Sequence, residues 1–282
     1  MPVLVARAVE EALAAMGAEP SAEPLAGGTD LMVDVNFGRK RLGHVVAIDR
    51  LAELKDLTGG ARVRVGAGVT YTHLLNDGTG GVALAEASRT VGSPQIRNAG
   101  TLGGNLATSS PAGDTLPILA ALEATVVLRS AQGERRVPFA QFMTGPKRNV
   151  RRRDELVIAA EWDDAGSAQT FIKVGTRNAM VIAVASLALI VDRARRRVGV
   201  ALGSCGPTIL RAPDAERFAA GLLGESGWGA PFTASDAARA EFGRLVAAAA
   251  RPIDDVRGTA AYRRHVLSVI GGRALARVGL VA

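Results

Sequence analysis

The sequence predicts an α+β protein built in two successive parts, and three features carry that reading. Residues 1–165 alternate short strands and helices around two glycine-rich turns, whereas residues 170–282 set strands ahead of three amphipathic helices. Between them lies DDAGSAQ (163–169), a polar stretch of the kind that separates domains. At 282 residues and 48% hydrophobic content, the chain can bury a core in each part. The domains are therefore placed at 1–165, with sub-parts of about 1–55 and 56–165, and at 170–282.

In order, VARAVEEALAAMG (5–17) has the spacing of an amphipathic helix, PLAG (24–27) is a short strand, LMVDVNFGR (31–39) is helical and HVVAI (44–48) is a strand. RVRVGAGV (62–69) alternates like a half-buried strand, and THLLND (72–77) and GGVALAEASRTV (80–91) read as helices. TLPILAALEA, from Thr115, is a helix with Pro117 in its first turn, where a missing N–H costs little. TVVLRS (125–130) and RRVPF (135–139) flank a turn, residues 139–155 read mostly as loop, and LVIAAEW (156–162) is a strand. Beyond the boundary come a strand at TFIKVGT (170–176), a helix-like segment at 178–185, and a strand hairpin with the basic tip RARRR (193–197). Helices at 214–224, 234–250 and 261–278 then cover one face.

The chain is organised around AGTLGGNLATSSPAGDTL (99–116). Adjacent glycines, Gly103 and Gly104, let the backbone approach a ligand closely, so that consecutive N–H groups can point at one anion. Thr108, Ser109 and Ser110 add hydroxyl donors. Asp114 would be repelled by a diphosphate, and is read as a helix cap or an acceptor from ribose hydroxyls. LAGGTDL (25–31) repeats the arrangement, a glycine turn opening onto a helix start that favours an anion. Two such loops could grip the two phosphates of one dinucleotide.

Other chemistries find little support. No G-x-G-x-x-G opens a helix with an acidic residue about 20 positions on, and no GK[ST] is present, so neither a Rossmann site nor a P-loop is indicated. One cysteine, Cys205, forms no internal disulfide and falls short of the about four thiolates that an iron–sulfur cluster needs. The three histidines, His44, His73 and His265, lack ligand spacing. The net charge of +7 sits largely in KRNVRRR (147–153) and RARRR (193–197), without interleaved aromatics. These runs read as solvated loops, with docking to an acidic partner as the second choice, and nucleic-acid binding is not expected. The early charges of the N-terminus resemble neither a signal peptide nor a membrane span, which predicts a cytoplasmic protein.

LAGGTDL (25–31), AGTLGGNLATSSPAGDTLP (99–117), FMTGP (142–146), FIKVGTRNAMVIAVAS (171–186), GSCGPT (203–208) and PIDDVRGTAAYRRHV (252–266) together resemble the FAD-binding medium subunit of the molybdenum hydroxylases, the xanthine dehydrogenase and carbon monoxide dehydrogenase group. The resemblance implies an FAD-binding domain of the PCMH type, shared with vanillyl-alcohol oxidase (VAO) and the MurB-type reductase, followed by a CO dehydrogenase flavoprotein-like C-terminal α+β domain. It places the FAD pyrophosphate on Ala26, Gly27, Gly28, Thr29, Asp30 and Leu31 and on Thr101, Leu102, Gly103, Gly104 and Asn105, with Thr108 close by. Asp114 matches an FAD-contacting aspartate, Val157 an apolar residue near the flavin ring, and Lys173 a lysine approaching the ring from the second domain. Val91 stands where some relatives stack an aromatic.

The implied role is electron relay. FAD would receive electrons from a small subunit with [2Fe-2S] clusters and a large subunit with molybdopterin, in a dimer of heterotrimers, and pass them to an external acceptor. A standalone FAD-dependent oxidoreductase, with Tyr71, His73 and Lys173 as candidate acids and bases, is the alternative, and a nucleotide- or partner-binding module without redox function is another.

Overall fold

A computed structural model describes residues 2–279 of the chain. The N-terminal layer contains β1 (Val3–Val5), α1 (Val9–Ala18), β2 (Ala22–Leu25), α2 (Leu31–Asn36) and β3 (His44–Ala47). Its strands form a parallel sheet in the order β1-β3-β2, with a helix in each crossover as parallel pairing requires. α1 buries Val9, Ala12, Leu13 and Met16, one stripe at helical spacing, against a core shared with Leu51, Leu54 and Ile158. The sequence reading began this helix at residue 5; instead Val3–Val5 pairs with β3. All three of those side chains are exposed, so no burial alternation marks the strand.

The second layer is antiparallel. After a 3-10 turn (Ala52–Leu54) come β4 (Leu57–Thr58) and β5 (Arg62–Gly66), then a run of short helices: α3 (Tyr71–Asp77), α4 (Val82–Thr90), α5 (Pro94–Ala99), α6 (Leu102–Thr108) and α7 (Leu116–Ala121). β6 (Thr125–Ser130) and β7 (Gly133–Pro138) form a hairpin, α8 (Phe139–Phe142) and a small hairpin of β8 (Met143–Gly145) and β9 (Arg148–Asn149) follow, and β10 (Leu156–Asp163) returns to the centre. The sheet order is β4-β5-β10-β6-β7. Residues 139–155 are thus more ordered than the loop expected of them. Short elements of this size bury too little to leave a periodic signal.

The C-terminal layer pairs β11 (Gln169–Val174), β12 (Ala185–Asp192), β13 (Arg197–Gly203) and β14 (Leu210–Arg211) antiparallel in that order. α9 (Pro213–Ser226), α10 (Asp236–Ala249) and α11 (Ala260–Gly279) cover one face. β12 is buried on both sides: Leu187, Leu189 and Val191 face these helices, while Ala188 and Ile190 join the core of the second layer. That double burial explains the unbroken apolar run ASLALIVD. The helix expected at 178–185 is absent. Arg177 donates to the carbonyls of Ala179 and Met180, Met180 takes a φ of 48°, and Val184 N already donates to Val174 O at 2.8 Å. α4 lies along β11, where Glu86 accepts from Phe171 N at 2.6 Å and Thr170 Oγ1 at 3.1 Å. Among the described residues, no helix is long and apolar enough to cross a membrane.

Candidate functional site

A cavity of about 900 Å³ opens where the three layers meet, within the roughly 300–1,000 Å³ range of small-molecule sites. Its walls come from the loop before α2, the first turn of α6, the loop before α7, β10 and β11. Of the residues singled out from the sequence, Ala26 to Leu31, Thr101, Gly103, Gly104, Asn105, Thr108, Asp114, Val157 and Lys173 all line it. Leu102 does not: its side chain is fully buried in the core and its N–H donates to Val69 O.

The two glycine pairs line the same cavity and are built differently. Gly103 and Gly104 lie inside the first turn of α6, which Thr101 caps by accepting from Gly104 N at 3.0 Å. Gly103 N donates to Ala67 O at 2.8 Å and Asn105 N to Thr101 O at 3.0 Å. The expectation that this pair aims its N–H groups at an anion is therefore corrected, because capping and the approach to the end of β5 consume them. A Cβ on Gly103 would stand 2.4 Å from the Ala67 methyl, whereas on Gly104 it would meet only Thr101 Oγ1, at 3.2 Å, and otherwise enter the cavity.

At the first loop the donors stay free. Among the described residues, no protein hydrogen bond takes the backbone N–H of Gly27, Gly28, Thr29, Asp30 or Leu31. Gly28 has a φ of +70°, and a Cβ on Gly27 would lie 1.7 Å from Ala99 O. Gly27 is thus glycine because the two loops touch there, and Gly28 because the chain turns left-handed.

At the other end Asp114 and Lys173 form a buried pair, Nζ to Oδ2 at 2.5 Å, with Lys173 also donating to Thr90 O at 3.0 Å. Thr90 Oγ1 reaches the same carboxylate oxygen at 3.4 Å. Burial pushes the Asp114 carboxyl up to about 6, against the pull of Lys173 and Thr90. Its Oδ1 is buried without a partner. Asp114 does not cap α7; Lys173 draws its carboxylate toward β11 instead, and Thr115 Oγ1 bonds Asn105 Oδ1. The Tyr71 ring lies against Gly100, where a Cβ would come within 2.8 Å of it. Burial, with Asp114 and Asp30 adding to it, holds its hydroxyl proton well above the usual phenol range. Tyr71 and Val91 line the cavity, while exposed His73 only approaches Asp77, at 3.9 Å.

Among the wall residues that escaped the sequence reading are four cations, Lys40, Lys55, and Lys147 and Arg151 from the first basic run. The second run is an exposed turn at residues 194–196, as expected of a solvated tip, but its flanks are tied down. Arg193 donates to the carbonyls of Trp228 and Ala230, Arg195 to Asp192 and Asp164 O, and Arg197 pairs with Glu123. Cys205 is fully buried, its thiol pushed up to about 12 by desolvation, in keeping with a packed side chain.

Residues 1–161 match the FAD binding domain in molybdopterin dehydrogenase, and residues 170–278 match the CO dehydrogenase flavoprotein C-terminal domain. The chain belongs to this FAD-binding family. It is 38% identical to the nicotinate dehydrogenase FAD-subunit of Eubacterium barkeri over 169 residues, a match spanning 57% of each chain. It is 29% identical to the carbon monoxide dehydrogenase medium chain of Hydrogenophaga pseudoflava, across 95% of this chain and 93% of that one. A solved carbon monoxide dehydrogenase from the same organism superimposes with a TM-score of 0.86 at 26% identity, covering 100% of this chain and 98% of its own. The chain is an oxidoreductase subunit with a two-domain fold, and its cofactor is FAD.

The walls fit that cofactor. Free donors at residues 27–31 suit a diphosphate, the open side of Gly104 leaves room for one, and the orphaned Oδ1 of Asp114 can accept from a polar edge.

Proposed function

We propose that this chain is the FAD-carrying electron-transfer subunit of a cytoplasmic molybdopterin-dependent hydroxylase or dehydrogenase. Electrons come from [2Fe-2S] clusters of a small partner subunit, fed by a large molybdopterin subunit, and leave to an external acceptor; the assembly is a dimer of heterotrimers. FAD, when bound, supplies a carrier that takes electrons singly and can deliver two. The observation that carries the reading is the meeting of both domains at one cavity: Lys173 reaches over from β11 to Asp114 in the cavity that the free donors of the first loop also line.

Each wall residue then has a task. Gly27 to Leu31 hold the diphosphate by backbone donors, and the bare face of Gly104 leaves it space. Val157, buried on β10 beside a bulge, offers an apolar surface that keeps water from a flat ring. Asp114 fixes the Lys173 ammonium, which keeps a positive charge at the end of the cavity where the second domain closes it. Asp114 Oδ1 and the protonated Tyr71 hydroxyl provide an acceptor and a donor for polar ring edges.

The test is reconstitution. The purified chain should bind FAD, turn yellow and be bleached by dithionite, while remaining inert toward heterocycles, aldehydes, purines and carbon monoxide. Adding the cluster and molybdenum subunits should restore substrate-driven bleaching. Bleaching of the isolated chain by one of these substrates at a catalytic rate would overturn the relay and make it a standalone oxidoreductase.

A further inference from the structure

The basic run 147–153 does not act as one unit. Arg148 and Arg153 are exposed and Arg152 pairs with Glu155 and Asp154, whereas Lys147 and Arg151 line the cavity. Lys147 stands at the tip of the β8–β9 hairpin, after Pro146, with a φ of 53°. A turn position of that kind is met most cheaply by glycine or asparagine, so a lysine there is held against its own preference. The tip is pinned to the end of α6: Lys147 N donates to Ser109 O at 3.1 Å, and the Asn149 amide donates to Ala107 O at 3.0 Å and Ser109 Oγ at 2.9 Å. From this anchor the Lys147 ammonium reaches Asp30 Oδ2 at 3.4 Å and Asp34 Oδ2 at 3.5 Å. Thr108 Oγ1 reaches the same oxygen of Asp30, also at 3.4 Å. The ammonium thus sits where the loop of free donors faces α6.

Charge balance at that loop needs a cation. Asp30 and Asp34 place two carboxylates beside backbone donors suited to a dianion; Arg39 stands 3.8 Å from Asp34, and Lys147 bridges both carboxylates, so that without it Asp30 would repel the anion. Most other cations of the wall are engaged at shorter range: Lys40 with Glu23 at 2.7 Å, Lys173 with Asp114 at 2.5 Å, and Arg151, though its Nε is buried without a partner, with Glu155 O at 2.8 Å. Lys55, the remaining lysine, makes no hydrogen bond to either glycine loop among the described residues. The Lys147 contacts are longer than the about 2.7–2.9 Å of a tight charge-assisted bond, so its ammonium has bonding to gain. We propose that Lys147 is a ligand of the cofactor's diphosphate, exchanging an aspartate contact for a phosphate oxygen when the dinucleotide binds. The assignment rests on the FAD reading and takes Lys147 out of the solvated loop.

The test uses the full chain freed of cofactor, titrated with FAD and, in competition, with ADP and adenosine. Lys147→Gln should weaken FAD and ADP by about tenfold or more, leave adenosine unchanged and flatten the salt dependence of ADP binding. Lys147→Arg should retain most of the affinity, and Arg153→Gln should match wild type. Equal loss for adenosine and ADP would mean that the hairpin only shapes the loop, and would overturn the assignment. So would unchanged binding by Lys147→Gln, or a loss confined to Lys55→Gln. A wild-type chain that takes up no FAD would instead overturn the cofactor reading, and this assignment with it.

Discussion

At Gly27–Gly28 the chain leaves successive backbone donors, from Gly27 to Leu31, unclaimed beside the cavity, whereas at Gly103–Gly104 the donors are spent on Thr101 and Ala67 before any ligand arrives. The two pairs share a sequence look and divide the labour. The first loop is a binding surface held against Ala99 at Gly27 and against Thr108 and Lys147 at Asp30, and the second is a capped helix start whose value to the cavity is the missing side chain of Gly104. An anion site can thus be made by donors left free or by bulk left out, and one molecule uses both.

The sharpest way to break this comparison is Gly27→Ala. Its Cβ would lie 1.7 Å from Ala99 O, so the loops must part; a loss of about 4 kcal/mol, or failure to fold, is expected in thermal or denaturant unfolding. Gly103→Ala, with its Cβ 2.4 Å from the Ala67 methyl, should cost nearly as much. Wild-type stability in Gly27→Ala would show that the loops do not touch.

Next in size is the pair that closes the far end. Lys173→Ala leaves the Asp114 carboxylate buried with only Thr90 nearby, a loss of about 3 kcal/mol near neutral pH. The pH dependence follows from the raised carboxyl. Between the ordinary aspartate range near 4 and about 6, the folded chain holds a proton at Asp114 that the unfolded chain has released. Stability from this group is therefore lost as pH rises through that window and is level above it. The difference in unfolding free energy between wild type and Asp114→Asn should fall across about pH 4 to 6, by up to about 3 kcal/mol. A flat difference would mean that the carboxyl titrates normally.

The smallest stability effect belongs to Gly104→Ala. Its methyl meets only Thr101 Oγ1, and alanine favours a helix, so the unfolding midpoint of the cofactor-free chain should shift by the equivalent of less than about 1 kcal/mol. FAD affinity should nevertheless drop, and drop further in Gly104→Val. A fully loaded Gly104→Val chain would remove this position from the site.

Much of this architecture was legible from periodicity. The β6–β7 hairpin, the double-buried run of β12 and the three C-terminal helices follow directly from apolar spacing. Exposed β1 and the short β8–β9 hairpin left no such trace, and Val181, Val184 and Ala185 imitated a helix that Arg177 and the left-handed Met180 prevent. At the site, residue types located the walls, but the division between the glycine pairs depended on contacts distant in sequence, Gly27 with Ala99 and Gly103 with Ala67. Lys147 and Arg151 were hidden by their neighbours: in a run of basic residues, sequence does not say which cation turns inward. The sequence marks only a turn there, Gly145-Pro146 ahead of Lys147; that Lys147 takes the left-handed position of the turn is seen in the structure alone.

The cap that Glu86 places on β11 has a consequence for how the halves can be made. β11 is the outer strand of its sheet, and Glu86 of α4 takes the Phe171 N–H that would otherwise face outward. Cut away from the first half, the C-terminal sheet would present an open edge rich in β-formers, a ready template for self-association. The first half thus covers an edge that the second half alone would leave open.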